Sequence, residues 1–334
     1  MKKLVRKSVY DASVAYAFYK TLSSPRIRPT AIKCIASIFY NFFFRQFKAV
    51  FLPGRAPVSK VDHPLDEKIP FTPSWVRIYL DFTAFWVRVV SFLLRNYGGK
   101  ARTEVIRFIR SIDELYAFAA GIYQKNFSTT KRPFYIARPR FFIIHLVDPH
   151  LMCIPSLHVM IAIWTWIKFT RIMRNLGEEK KLAPQIEEMR QGALAISRAI
   201  LYVKQHSINC IPATLYAMTC FDPALWTAAD AEAFTIELLG GKRRTTETFL
   251  KKPVNYGVRP AAAPGDAIKA DDALKIQNHI ISLFRRFLSE KKDTEYWGAP
   301  LLKFLKEIRE KPAPTGQAHE PNSHTARDNV TQKR

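Results

Sequence analysis

Two histidines stand beside residue types that bind phosphate. His158 follows Pro155 and Ser156, and His206 follows Lys204. Phosphoryl transfer needs a nucleophile and an acid on opposite sides of phosphorus, and imidazole can serve as either near neutral pH. The two histidines therefore predict chemistry on a bound phosphate group.

The groups that would hold such a phosphate occur in the same stretches. Ser156 precedes an apolar run and is the predicted N-cap of a helix whose free N–H groups point at an anion. Lys125 and Arg132 would neutralise the phosphate oxygens, Arg132 as a bidentate fork and Lys125 as a point charge. One alternative is that both cations only extend to a membrane surface, and another is that His158 is a hydrogen-bonded core residue.

Taken together, these stretches resemble the type 2 phosphatidic acid phosphatase superfamily, whose motifs are K-x6-R-P, P-S-x-H and a helix leading into H-x3-D. The matching residues are Lys125, Arg132 and Pro133, then Pro155, Ser156 and His158, then Lys204, Gln205 and His206. The third stretch is similar to the branch that contains inositol phosphorylceramide synthases. The resemblance covers roughly residues 60–222.

This resemblance implies a site and a mechanism. His206 would attack phosphorus and carry a phosphohistidine, while His158 would protonate the leaving oxygen and then activate water or a lipid hydroxyl. The implied phosphate ligands are Lys125, Arg132, Ser156 and Lys204. The scheme requires no metal and no cofactor.

The sequence departs from the family pattern after His206. Cys210 occupies the place of the Asp that normally accepts the imidazole N–H, and the loss of a His–carboxylate pair can cost orders of magnitude in rate. Asn209 is the predicted substitute acceptor. Arg198 lies eight residues before His206 rather than six, which turns it about 160° round the helix, so Lys204 is the predicted third cation. We expect reduced or specialised activity.

Two further histidines and the four cysteines match no such pattern. His145 and His150 precede the second motif, and structural or surface roles are predicted for them. The cysteine spacing predicts neither a zinc site nor a disulfide scaffold. The basic N-terminus lacks a small-residue cleavage site, so no removable signal peptide is expected.

Long apolar segments must position the motifs. Five segments, with a short sixth, could be membrane helices: Ala31–Leu52, Trp75–Leu94, Glu104–Tyr123, Leu157–Met173, Ala193–Gln205 and Ile208–Phe221. Seven charges lie inside the second and third of these, in addition to Glu104 at the start of the third, and each central charge costs about 2.5–3.5 kcal/mol on insertion. Hydropathy alone leaves a basic, all-helical soluble protein as an equal alternative.

Loop charges favour the membrane interpretation. Residues 1–30 hold seven Lys or Arg against Asp11, which follows the positive-inside bias. The predicted fold is an all-α, polytopic membrane bundle of about six helices with cytoplasmic termini. Its domains are a 1–30 N-terminal segment, a 31–222 membrane domain, a 223–311 helical extension and a disordered 312–334 tail. Helices are expected at Ala231–Leu239 and Leu274–Leu288.

The predicted function is that of a lipid phosphatase or lipid phosphotransferase. The net charge of +24 fits an anionic partner, which could be a lipid, a phosphorylated substrate or nucleic acid. No known nucleic-acid motif occurs, so the predicted partners are a lipid phosphate and the membrane. The competing hypotheses are an inactive membrane protein that retains the anion pocket, which Cys210 favours, and a soluble nucleic-acid-binding protein.

Overall fold

The computed structural model describes residues 8–52, 56–133, 135, 139–240 and 268–310. The first helices are α1 (Val14–Ser23), α2 (Arg28–Ile38), a π-helical segment (Phe39–Phe44), α3 (Arg45–Phe51), α4 (Val76–Leu80), α5 (Phe82–Tyr97) and α6 (Arg102–Tyr123). They are followed by α7 (Pro139–Val147), α8 (Leu157–Asn175), α9 (Ala183–Tyr202), α10 (Cys210–Phe221), α11 (Ala228–Gly240), α12 (Ala270–Lys291) and α13 (Ala299–Glu310). Strands β1 (Val58–Lys60) and β2 (Phe127–Thr129) form a small parallel pair.

Helix α8 is the centre of the molecule. Its residues 157–165 are all buried, which is typical of a helix that is apolar on every side. Helices α5, α6, α9 and α10 pack around it. The indole Nε1 of Trp164 donates to Ser111 Oγ of α6 at 2.9 Å, so the polar atom of this buried ring has a partner. The prediction of a mostly helical protein is confirmed.

Several of the charges that would burden a membrane helix are paired in the fold. Asp81 separates α4 from α5 and accepts two hydrogen bonds from Arg88 Nη1, at 2.8 and 2.7 Å. Lys33 of α2 lies 3.4 Å from Asp113 of α6. Across the described ranges, every helix falls short of the length or the apolar character needed to cross a bilayer.

Several predicted boundaries differ from those observed. The segment predicted at Trp75–Leu94 is broken at Asp81, and α9 begins ten residues before the predicted Ala193. By contrast, α6 and α8 begin within two residues of their predicted starts. The predictions of helices at Ala231–Leu239 and Leu274–Leu288 are confirmed as α11 and α12.

The C-terminal helices pack into the same core as the rest of the chain, rather than forming the separate extension that the sequence predicts. Helix α12 packs on α10 and α11. Ser59 Oγ of β1 donates to the Leu305 carbonyl of α13 at 2.8 Å, and Tyr216 Oη donates to the Trp297 carbonyl at 2.6 Å. The predicted disordered tail, 312–334, lies outside the described residues.

Candidate functional site

Two helix ends bring the predicted catalytic histidines together. Helices α8 and α9 are joined by a short connection and pack along each other, so the start of α8 lies beside the end of α9. Ser156 is the N-cap of α8, as predicted, and places His158 in the first turn. His206 follows the end of α9, with its N–H donating to the Ile200 carbonyl at 3.1 Å.

The two imidazoles are in contact. Their ring centroids lie 5.4 Å apart with the planes at 70°. His158 also packs on Tyr79, at 4.4 Å between centroids, and on Phe82, at 4.2 Å. Burial and the neighbouring charge of His206 lower the pKa of His158 to about 3, so its ring is neutral at neutral pH in this pocket.

A hydroxyl and a guanidinium lie beside the pair. Ser156 Oγ is 3.5 Å from His206 Nε2, and the Ser156 N–H donates to Thr214 Oγ1 at 2.7 Å. Arg132 donates to the Asp148 carbonyl at 3.3–3.4 Å and to Gln205 Oε1, next to His206, at 3.3 Å. These long hydrogen bonds to neutral oxygens leave Arg132 free to exchange them for a charged acceptor.

The two predicted lysines make their observed contacts elsewhere. Lys125 is exposed, and its ammonium lies 3.8 Å from the centroid of the Tyr296 ring. Lys204 has a left-handed backbone, with φ of 54°, and its ammonium donates to the Asp66 carbonyl. Neither lines the histidine cavity. The direction predicted for the Lys204 side chain assumed that this residue is helical, but α9 ends before it, at Tyr202. Arg198 donates to the Leu238 and Glu237 carbonyls of α11, at 2.8 and 2.7 Å.

The hydrogen bond predicted between Asn209 and His206 is absent from the described structure. The Asn209 side-chain oxygen instead accepts from His279 Nε2 at 2.8 Å, and its amide donates to the Val61 carbonyl at 3.1 Å. His206 Nδ1 is buried and has no hydrogen-bond partner among the described residues. Cys210, at the position where the resemblance implies an Asp, is fully buried. The structure therefore leaves His206 without the orienting acceptor that the resemblance implies.

No family model matches the sequence, and no curated protein or solved structure matches it either. Within the part of the chain that the structure describes, no cluster of three or more His, Cys, Asp or Glu could hold a metal ion. The geometry of these residues is therefore what supports a function.

His150 belongs to the site, contrary to its predicted structural or surface role. Its ring centroid lies 6.0 Å from that of His206, and its Nε2 lies 2.9 Å from Thr130 Oγ1 and 3.5 Å from Cys153 Sγ. Its Nδ1 lies 3.8 Å from the Asp148 carboxylate. The alternation of Asp148, His150 and Cys153 in the loop before the second motif was the available signal.

Opposite charges stabilise each other in this loop. Burial alone would lower the pKa of His150, but Cys153 and Asp148 raise it to about 9. Burial alone would raise the pKa of Cys153, but its hydrogen bond with Cys210 and the charge of His150 bring it well below its usual value. The Asp148 carboxyl pKa is likewise depressed, since His150 and Arg132 outweigh its burial. All four cysteines are free thiols.

A small cavity opens onto these groups. Its lining residues are Phe42, Asp148, His150, Met152, Leu157, His158 and His206. The lining combines aromatic and aliphatic side chains with three imidazoles and the Asp148 carboxylate. An anion in this cavity would meet both predicted catalytic rings, the cationic ring of His150 and the negative charge of Asp148.

Proposed function

We propose that this chain is a lipid phosphatase or lipid phosphotransferase that works through a phosphohistidine on His206. The observation that carries the proposal is the contact between His158 and His206. These residues are separated by 48 positions in the chain, yet their rings meet in a buried pocket beside Ser156 and Arg132. Two adjacent imidazoles beside a hydroxyl and a guanidinium fit a bound phosphoryl group.

In the first step, His206 Nε2 attacks phosphorus and the bond from phosphorus to the lipid oxygen breaks. The leaving oxygen takes its proton from His158. This ring is neutral in the empty pocket, but the negative charge of a bound phosphate favours imidazolium and raises its pKa. Substrate binding therefore favours the protonated form of His158, which is the acid in this step.

The second step regenerates the enzyme. His158, now neutral, removes a proton from water or from a second lipid hydroxyl, and that oxygen attacks phosphorus as the bond to His206 breaks. Water gives hydrolysis, and a lipid hydroxyl gives transfer. Arg132 neutralises charge on the phosphoryl oxygens in both steps.

The second candidate function is binding without turnover. The unpartnered Nδ1 of His206 and the thiol of Cys210 favour it, because no carboxylate at this position fixes the imidazole tautomer. Such a protein would retain affinity for a phosphorylated lipid and show no phosphohistidine.

The test is phosphate release from a panel of lipid phosphates. We expect His206→Ala to lower the rate by about a thousandfold or more. His324→Gln, a histidine substitution in the predicted C-terminal tail, is the matched control and should retain activity. An acid-labile, alkali-stable phosphoenzyme should form in the wild-type protein and be absent from His206→Ala. Equal rates of phosphate release for the wild-type protein and His206→Ala would exclude catalysis through His206.

The polytopic arrangement with cytoplasmic termini stays a prediction of the sequence, as does the absence of a nucleic-acid partner. Extraction of membranes with alkaline carbonate tests the first, because only an inserted protein stays in the pellet. Electrophoretic mobility of DNA and RNA in the presence of the protein tests the second.

A further inference from the structure

An apolar surface lies on the N-terminal helices. Of the sixteen large apolar side chains that are exposed in the described residues, eleven lie between Phe18 and Leu52. Among them, Phe51 is 75% exposed, Phe39 66% and Tyr40 54%. We call this surface the N-terminal aromatic face, defined by Ile32, Ile35, Phe39, Tyr40, Phe44 and Phe51. So many exposed rings on adjoining helical turns mark a surface that contacts something apolar.

The charged residues of the segment that carries this face have one sign. Residues 12–52 hold six Lys or Arg and no Asp or Glu. Two of the cations lie directly over its rings: the guanidinium of Arg45 is 4.9 Å from the Tyr40 centroid, and the ammonium of Lys48 is 5.9 Å from that of Phe44. Aromatic rings interleaved with Lys and Arg are typical of segments that lie in the interface of an anionic bilayer.

The same helical turns close the histidine cavity. Phe42, within the π-helical segment, lines that cavity, while Phe39 and Phe44 point to the exterior. One turn later, the fully buried Gln46 accepts the Leu151 N–H through its Oε1 at 3.0 Å. This bond ties α3 to the loop that carries His150. Whatever the face contacts is therefore held next to the candidate site.

We propose that the N-terminal aromatic face docks on the surface of an anionic lipid bilayer and holds the histidine cavity at the level of the lipid head groups. The docking stands on its own, whereas delivery of a head group to His206 rests on the proposed function. Charge disfavours the chain itself as the occupant. Segment 241–267 carries six Lys or Arg against two acids, and a second copy would bring together two basic faces.

Vesicle sedimentation with the full chain tests the docking. We expect binding to vesicles of phosphatidylglycerol and phosphatidylcholine, and little binding to phosphatidylcholine alone. The triple variant Phe39→Ser, Tyr40→Ser, Phe51→Ser should bind at least about tenfold more weakly. Its matched control, Ile236→Ser with Leu274→Ser, removes side chains that are 50% and 55% exposed on α11 and α12 and should bind like the wild-type protein.

A second variant tests how much the positive charges contribute to vesicle binding. Arg45→Gln with Lys48→Gln should weaken binding to the anionic vesicles roughly tenfold at low salt and flatten the salt dependence. Full binding by the triple variant, or an equal loss in the matched control, would overturn the proposal. A third result would also overturn it: the wild-type protein does not bind vesicles but forms a concentration-dependent dimer, and the triple variant does not dimerise. The occupant of the face would then be a second copy of the chain.

The two proposals fail separately. If the wild-type protein binds anionic vesicles but releases no phosphate, the docking proposal is supported and the proposed enzymatic activity is excluded. If the protein releases phosphate from a detergent-dispersed lipid phosphate but does not bind vesicles, the docking proposal is overturned and the proposed enzymatic activity is retained. Protein that stays in native membranes after carbonate, in wild-type and triple-variant form alike, would show insertion in place of docking.

Discussion

At the scale of single residues, the atom that decides between an enzyme and a binding protein is His206 Nδ1. Among the described residues it is buried without a hydrogen-bond partner, and Cys210 stands at the sequence position where the resemblance implies a carboxylate that would accept its proton. A carboxylate there would fix the tautomer with the proton on Nδ1 and leave the Nε2 lone pair directed towards the phosphate. It would also stabilise the imidazolium character that develops during attack.

Cys210→Asp should therefore raise kcat for phosphate release. Replacing the carboxylate of a His–Asp pair can cost about ten-thousandfold, so even partial recovery predicts a gain of about tenfold or more. The measurement is steady-state phosphate release at neutral pH. Cys210→Asn is the matched control, with similar volume and no charge, and should give little gain. If Asn and Asp variants turn over equally, the missing carboxylate is not what limits the rate.

At the scale of elements, the site depends on how closely α9 approaches its neighbours. Gly192 faces Tyr10 and Phe85 of α5, and a Cβ at this position would collide with the Tyr10 hydroxyl and Phe85 Cε2 and lie 3.0 Å from Phe85 Cζ. The residue is needed for close approach between helices. Helix α9, which carries Gly192, ends at Tyr202, four residues before His206.

Gly192→Ala should lower the free energy of unfolding by about 1–3 kcal/mol, although Ala is the better helix former by about 1 kcal/mol, because overpacking outweighs propensity. Denaturant unfolding measures it. Gly99→Ala is the control: its nearest neighbour, Arg102 Nη2, lies 4.0 Å from the added Cβ. That variant should stay within about 0.5 kcal/mol of the wild-type protein. Similar losses in both would mean that helix packing at Gly192 is not the cause.

At the scale of the whole molecule, the sequence predicted the elements better than the contacts between them. Helical segments could be read from apolar runs, and the pairing of His158 with His206 came from a motif order that a short helix connection preserves. Lys125 and Asn209 were assigned to the site by spacing alone. Their partners are Tyr296, in the connection between α12 and α13, and His279 of α12, which the sequence separates from them by 70 residues or more. No periodicity specifies contacts at that range.

Those long-range contacts have a consequence for stability as pH changes. His279 donates to Asn209 and stacks on His63, with ring centroids 4.0 Å apart. Burial and the charge of His63 lower the pKa of His279 to about 4. Burial and His206 lower that of His158 to about 3. In the unfolded chain both would titrate near 6.5.

The pKa values of these two histidines are lower in the folded chain than in the unfolded chain. As the pH falls below about 6.5, the unfolded chain therefore binds protons at both histidines while the folded chain does not. Stability is therefore present at neutral pH and lost towards pH 4. His279→Gln keeps a side-chain N–H for Asn209 but does not titrate. Between pH 7 and pH 5 it should lose about 1 kcal/mol less unfolding free energy than the wild-type protein, an amount reduced for the partial exposure of this histidine. Urea unfolding at both pH values measures the difference. Equal acid losses in the two proteins would show that α12 docks without this histidine staying neutral.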